Sequence, residues 1–200
     1  MNPRRLLIAT NNRGKVEELR ALLRDLNLDL VVPSEVALEL HVVEDGRTYA
    51  ENASKKALAF ARASGLVSLA DDSGLEVDAL DGAPGLYSAR YSSLPGAADA
   101  DRRALLLKNL EGLPPPWTAR FRAAIAIAVP DGPLQLAEGT CEGEIIPKER
   151  GTGGFGYDPI FYIPAAGRTM AELSMDDKNR LSHRAQAVSN AGPILREIFY

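Results

Sequence analysis

The chain has 200 residues, 46% apolar and 25% charged, close to the averages for folded globular proteins, which excludes a mainly disordered chain and fits one domain over residues 1–200 with two lobes. Lys and Arg number 23 against 27 Asp and Glu, a formal net charge of −4; this disfavours a protein that lives on the nucleic-acid backbone, and no nucleic-acid partner is expected. One cysteine, Cys141, and two histidines, His41 and His183, exclude an internal disulfide and a His-rich metal site.

The first apolar run, residues 6–9, reads as a strand buried on both faces. It is too short for a signal-peptide core. The polar loop Thr10-Asn11-Asn12-Arg13-Gly14 follows, then Val16, Leu19, Leu22, Leu23 and Leu26 at helical spacing. Residues 28–32 form the next predicted strand, stopped by Pro33. Residues 48–63 predict a helix, with Thr48 and Glu51 at capping-box spacing. Residues 67–70 form a strand running into Asp71-Asp72-Ser73-Gly74, and Leu75, Val77 and Leu80 suggest a second short strand. Residues 99–110 are a helix ended by Gly112 and three prolines. Residues 121–129 and 134–146 are two long strands joined at Pro130-Asp131-Gly132-Pro133. The aliphatic stretch at 123–129 is the longest, far below the ~20 residues of a membrane span, and no membrane partner is expected. A glycine loop at 151–156 precedes a strand at 160–163. Thr169 and Glu172 have capping-box spacing, and the last helix carries Ala187, Ala191, Leu195 and Ile198, with a kink or break at Gly192-Pro193. The mixture predicts a twisted mixed α/β sheet with flanking helices and a long antiparallel hairpin. The lone cysteine fits a reducing, cytoplasmic setting.

Five segments carry candidate chemistry, each with a plainer alternative. Thr10 to Lys15 links a buried strand to a helix, where backbone N–H groups, the helix dipole and the Lys15 ammonium suit a phosphate; it also reads as an ordinary turn. Ala9 and Val16 stand where a P-loop needs Gly and Ser or Thr. Asp71 and Asp72 follow a strand and suit Mg²⁺, one acid reaching the site and its neighbour supporting it, or they cap a turn. Glu44-Asp45 precedes a helix on which Asn52 and Lys56 share a face, or that face is simply solvated. Gly151, Gly153 and Gly156 match G-x-G-x-x-G, but no strand precedes and no helix follows, so the match is false. Phe155 and Tyr157 on this glycine loop suit a flat ring, or they anchor the loop in the core. Lys178 and Ser182-His183-Arg184 open the last helix and offer donors to a carbonyl or phosphate, or are structural.

Together these segments closely resemble the inosine triphosphate pyrophosphatase (HAM1-like) family. The matching stretches are Thr10-x-Asn12-x-x-Lys15, Glu44-x-Gly46-x-Thr48-x-x-Glu51-Asn52-x-x-x-Lys56-Ala57, Asp71-Asp72-Ser73-Gly74-Leu75, Gly82-Ala83-Pro84-Gly85-x-Tyr87-Ser88-Ala89-Arg90, Gly151-Thr152-Gly153-Gly154-Phe155-Gly156-Tyr157-Asp158-Pro159 and Ser182-His183-Arg184-x-Gln186-Ala187. Asn11 and Tyr49 depart from commoner Gly and Phe without removing a functional group.

The resemblance implies an elongated mixed α/β fold with two lobes around a central nucleotide cleft, assembled as a homodimer. It implies Mg²⁺-dependent hydrolysis of inosine and xanthosine triphosphates and their deoxy forms to the monophosphate and pyrophosphate, cleansing the nucleotide pool. On that basis Glu44 and Asp72 hold the metal, and Asp72 also takes a proton from the attacking water. Asp71 and Asn52 support it. Thr10, Asn11, Asn12, Arg13, Gly14, Lys15 and Lys56 hold phosphate. Ser73, Phe155, Gly156, Tyr157, Asp158, Lys178, His183 and Arg184 take the rest of the substrate, with Phe155 stacking on the base and His183-Arg184 donating to its carbonyl. A pyrophosphatase for modified pyrimidine nucleotides (the Maf-like class) and a nucleotide sensor without turnover are the rivals. The first should lack the glycine loop and the Ser182-His183-Arg184 block, and the intact Asp71, Asp72 and Glu44 argue against the second.

Overall fold

A computed structural model describes residues 4–200. Among the described residues five helices and seven strands follow in the order β1 (Arg5–Ile8), α1 (Arg13–Leu23), β2 (Asp29–Val31), α2 (Tyr49–Ser64), β3 (Val67–Val77), α3 (Asp99–Leu110), β4 (Trp117–Ala128), β5 (Leu134–Ile145), β6 (Phe161–Ile163), β7 (Arg168–Thr169), α4 (Met175–Leu181) and α5 (His183–Phe199). The strands form one mixed sheet in the order β2-β1-β3-β4-β5-β6-β7. The β1–β2 and β1–β3 pairs are parallel, and β5–β6 and β6–β7 antiparallel. Each parallel pairing needs a crossover, which α1 and α2 provide. No helix among the described residues is long and apolar enough to cross a membrane.

The chain divides into two compact units. The first comprises the residues up to Asp72, Ala123–Gly139 and Arg184–Tyr200; the second comprises Ser73–Arg122 and Thr140–His183. In the first, side chains alternate across the strands. Leu6, Ile8, Leu69, Ile125 and Ile127 pack with Leu19 and Leu23 of α1 and Ala187, Ala191 and Leu195 of α5. Leu7, Ala9, Ala70, Ala124 and Ala126 pack instead with Ala53, Ala57 and Phe60 of α2. Both faces are covered, so these strands read as unbroken apolar runs. In the second unit Leu75, Val77, Phe121, Ile145, Ile160 and Phe161 pack with Leu106 and Leu110 of α3.

Three differences from the sequence expectation matter. Asp71-Asp72-Ser73-Gly74 lies inside one eleven-residue strand rather than at a strand end, with no second strand after it. Strand β3 neighbours β4 in the sheet, and Leu75 and Val77, both fully buried, hold the chain extended. Second, α5 runs unbroken through Pro193. Ala187, Ala191 and Leu195 keep one buried stripe on both sides of the proline. Ser189, whose carbonyl loses its helical partner, is exposed and meets water. Third, Lys178 belongs to a separate helix, α4, capped by Ser174, whose hydroxyl accepts the Asp177 N–H at 3.1 Å. Replacing the fully buried Ile125 by Ala should cost about 2–5 kcal/mol in urea-denaturation free energy, the range for truncating a core isoleucine.

Candidate functional site

The parallel register sets a cluster in the first unit. Ile8, the last residue of β1, stands beside Leu69, and the Ala9 N–H donates to the Leu69 carbonyl at 2.8 Å. Strand β3 continues past that point, so Asp71 and Asp72 stand just beyond the carboxyl end of β1, where open α/β sheets bind ligands. The turn out of β1 is tightened by its own side chains. The Asn12 N–H donates to the Thr10 hydroxyl at 3.2 Å, and the Lys15 N–H to Asn12 Oδ1 at 3.1 Å. Asn12 is thus the N-cap of α1 and satisfies one of the helix's open donors itself. Asn11 and Arg13 are exposed and Gly14 is half-buried on the same turn.

Lys15 turns inward. Its ammonium lies 2.7 Å from Asp71 Oδ2. Arg184, at the start of α5, reaches the same Oδ2 at 3.1 Å and also donates to Glu18 of α1. Helix α2 supplies the rest from residues four apart on one face. Lys56 Nζ donates to the Asp71 backbone carbonyl at 2.9 Å and lies 2.8 Å from Glu44 Oε1 and 3.5 Å from Asp72 Oδ1. Asn52 Nδ2 donates to Asp72 Oδ2 at 3.1 Å, while its Oδ1 accepts the Gly46 N–H at 2.8 Å. A Cβ on Gly46 would sit 2.6 Å from that Oδ1, so the turn carrying Glu44 can close on Asn52 only as glycine.

Two adjacent aspartates therefore have opposite surroundings. Burial alone would raise the Asp71 carboxyl, but Arg184 and Lys15 outweigh it and hold the group well below the usual range. Burial dominates at Asp72 and, with Glu44 close by, raises its carboxyl against the pull of Lys56, Lys15 and Asn52. Burial likewise lowers the Lys15 ammonium, despite Asp71. In this cluster three cations, Lys15, Lys56 and Arg184, meet four carboxylates, Glu18, Glu44, Asp71 and Asp72. The lysines alone thus create no positive field. Glu44 and Asp72 converge on one ammonium as hard oxygen donors, and two carboxylates plus substrate phosphates are a normal Mg²⁺ set. Among the described residues no group of three or more Asp, Glu, His or Cys forms a fuller cage.

The second unit holds the other predicted residues. Asp158 Oδ2 accepts the Phe155 N–H at 3.1 Å and pairs with Lys178 Nζ at 2.7 Å. That ammonium lies 5.4 Å from the Phe155 ring centroid, within reach of a cation–π contact. Gly154 has φ +72°, and a Cβ there would meet Asp158 Oδ2 at 2.0 Å, so the loop can wrap this ion pair only with glycine. Tyr157 is spent on packing: its ring is buried in the core and its hydroxyl donates to the Ser88 carbonyl at 2.9 Å. His183 stacks on Phe121 at 4.8 Å between ring centroids. Ser73 is half-buried on β3. The sequence analysis missed Glu18 and Ser88. Glu18 is a charged residue on the buried face of α1, a pattern visible in the helical spacing. Ser88, whose Oγ accepts the Leu75 N–H at 2.9 Å, lay unassigned within a matched motif.

Comparison with known proteins decides the family. The Ham1 family model matches residues 6–193. The chain belongs to the Ham1 family. A relative from Desulforamulus reducens named "dITP/XTP pyrophosphatase" is 52% identical over 196 residues, covering 98% of this chain and 97% of the relative. The Ham1 protein structure from Staphylococcus aureus superposes with a TM-score of 0.85 at 38% identity, over 97% of this chain and 99% of that one. A HAM1 protein from Coxiella burnetii gives 0.86 at 40% identity, over 96% and 98%. The mixed sheet and its flanking helices are thus those of Ham1 structures.

The opposed aspartates predict opposite variants. Asp71 contributes stability above the ordinary value of 3.8 that is lost as pH falls through its depressed folded value. Asp71→Asn should therefore cost about 3–5 kcal/mol at neutral pH, the scale for breaking a buried ion pair, and flatten the acid limb of stability. Asp72 has the reverse sign: its contribution is present in acid and lost as pH rises through the raised folded value. Asp72→Asn, melted at neutral pH in chelator, should unfold at or above the wild-type temperature.

Proposed function

We propose that this Ham1-family chain is a nucleoside triphosphate pyrophosphatase that hydrolyses non-standard purine nucleoside triphosphates (those of inosine, deoxyinosine and xanthosine) to the monophosphate and pyrophosphate. One observation carries the proposal. Asp72, a buried carboxyl raised above its usual range, shares the Lys56 ammonium with Glu44 in a chain whose relatives are named dITP/XTP pyrophosphatases.

A triphosphate brings about four negative charges to a cluster that already has more carboxylates than cations, so a divalent ion is needed for the charges to balance. Glu44 and Asp72 would hold it. Bound Mg²⁺ supplies neutralisation of the charge developing on the leaving pyrophosphate. The side chains do the rest. Lys15 and Lys56, fixed by the Asp71 carbonyl and carboxylate, serve the phosphate end with the Thr10–Lys15 turn. Asp72, buried beside Lys56 and Glu44, accepts the proton of water attacking the α-phosphorus. Asn52 fixes the Asp72 carboxylate, and Asp71, already committed to Lys15 and Arg184, does not compete for the proton. At the base end Phe155 stacks, Asp158 and Lys178 hold its loop, and His183 donates to a six-position carbonyl; Arg184, expected from the sequence to donate there, is instead spent on Asp71 and Glu18. Adenine presents an amino group there, so its hydrogens would face a donor.

The test is a panel of inosine, xanthosine, adenosine and guanosine triphosphates, scored for pyrophosphate and orthophosphate with and without Mg²⁺. Strong preference for the inosine and xanthosine substrates over ATP, pyrophosphate as primary product, and loss of turnover in chelator are expected. Equal rates on inosine triphosphate and ATP overturn the donor argument, and primary orthophosphate overturns the bond assignment. Asp72→Asn should lose at least about 10²-fold in kcat, the scale of general-base catalysis; near-wild-type turnover removes Asp72 from the chemistry.

A further inference from the structure

We propose that Asp99 and Arg103, one turn apart on α3, are positioning residues that set the orientation of the Phe155 ring by clamping both peptide planes that flank Gly156. Asp99 Oδ2 accepts the Gly156 N–H at 2.7 Å, fixing the plane shared with Phe155. Arg103 Nη1 donates to the Gly156 carbonyl at 2.8 Å, fixing the plane shared with Tyr157.

Both clamping groups are themselves braced. The Asp99 carboxylate also accepts from Arg102, whose Nη1 donates to the Ala97 carbonyl at 2.8 Å. The Arg103 guanidinium makes a two-pronged pair with Glu149, at 2.8 and 3.0 Å, immediately before the glycine loop. Helix α3 thus grips the loop at its entry, through Glu149, and next to its aromatic residue, through Gly156. Paired planar contacts of this kind fix geometry as well as position.

The loop's other backbone holds lie away from Gly156: the Gly153 N–H donates to the Ala171 carbonyl at 3.1 Å, and the Phe155 carbonyl accepts the Asp158 N–H at 3.2 Å. Gly151, Gly154 and Gly156 adopt positive φ, and residues 151–154 are exposed. Phe155 is only half-buried and is not among the buried core side chains, whereas Tyr157, two residues on, is in the core. Packing therefore fixes Tyr157 and leaves the Phe155 backbone to hydrogen bonds. Asp158 holds its N–H, and α3 holds the peptide that follows it.

The inference rests on the proposal that Phe155 stacks on the base, and the experiment separates the two. Steady-state kinetics on inosine triphosphate and ATP are compared for wild type, Asp99→Ala, Asp99→Asn, Arg103→Ala and Arg103→Lys, with the exchange rate of the Gly156 amide proton and the melting temperature of each. The two alanine variants should raise KM for inosine triphosphate about tenfold, the scale of one lost charged hydrogen bond. Their kcat should stay within about twofold, their preference over ATP should shrink, and the Gly156 amide in Asp99→Ala should exchange at least about tenfold faster. Asp99→Asn keeps an acceptor oxygen and should recover most of the wild-type KM. If an alanine variant does not fold, Asp99→Asn and Arg103→Lys carry the comparison: the lysine keeps a donor for the Gly156 carbonyl but not the paired contact, and should show an intermediate KM. Folded alanine variants with wild-type KM and base preference overturn the clamp, as does an unchanged Gly156 exchange rate. A wild type that does not distinguish inosine triphosphate from ATP overturns the base assignment instead, and the amide exchange still decides whether the clamp exists.

Discussion

The side chain of Asp71 is wholly buried and meets two cations from two helices, Lys15 of α1 and Arg184 of α5. Arg184 in turn holds Glu18, one turn along α1 from Lys15. A buried cluster of this kind contributes little net stability against a well-packed apolar alternative, because each charge has given up water. It fixes placement instead: the middle of β3 is tied to the starts of α1 and α5. The backbone carbonyl of the same residue accepts both Lys15 and Lys56. Both lysines are thereby held beside Asp72, and the chemistry proposed for Asp72 depends on that tether.

Neighbouring residues on a strand face opposite ways, and this chain uses the alternation to give two aspartates different properties. Asp71 is surrounded by cations and stays ionised. Asp72 has a weaker cationic partner, Lys56 at 3.5 Å, and shares it with Glu44. Burial therefore wins at one position and ion pairing at the other. Paired acids whose environments push them apart are the arrangement that acid–base chemistry needs.

The second unit solves a different problem, that of holding a loop built mostly of glycine. Glycine is required where Gly154 passes over the Asp158–Lys178 pair, since any Cβ would collide with the carboxylate. Those glycines bring no side chains to bury. Order is restored by polar contacts on either side: Asp158 from within the loop, Asp99 and Arg103 from α3, and Tyr157 anchored through Ser88. Ser88 also accepts the N–H of Leu75 on β3, so the Gly85–Arg90 segment ties the loop to the strand that carries Ser73.

Much of the fold was written locally. The apolar run before Thr10, the helical spacing after it, and the Thr48 cap with Glu51 three residues on each specify their element by short-range rules, and all three form where the sequence places them. The shared face of Asn52 and Lys56 was equally legible, because a spacing of four on a helix leaves no alternative. Asp71-Asp72-Ser73-Gly74 resembles a turn in isolation and stays extended within β3, which neighbours β4 and buries Leu75 and Val77 just beyond. Pro193 resembles a break, and buried residues on both sides carry the helix through. Likewise no local pattern could bring Arg184 to Glu18, 166 positions away, or set Asp99 beneath Gly156. The sequence by itself determined which residues could do chemistry and which elements bear them. Long-range pairing and burial decided which charges meet, and so which aspartate is held ionised and which is raised.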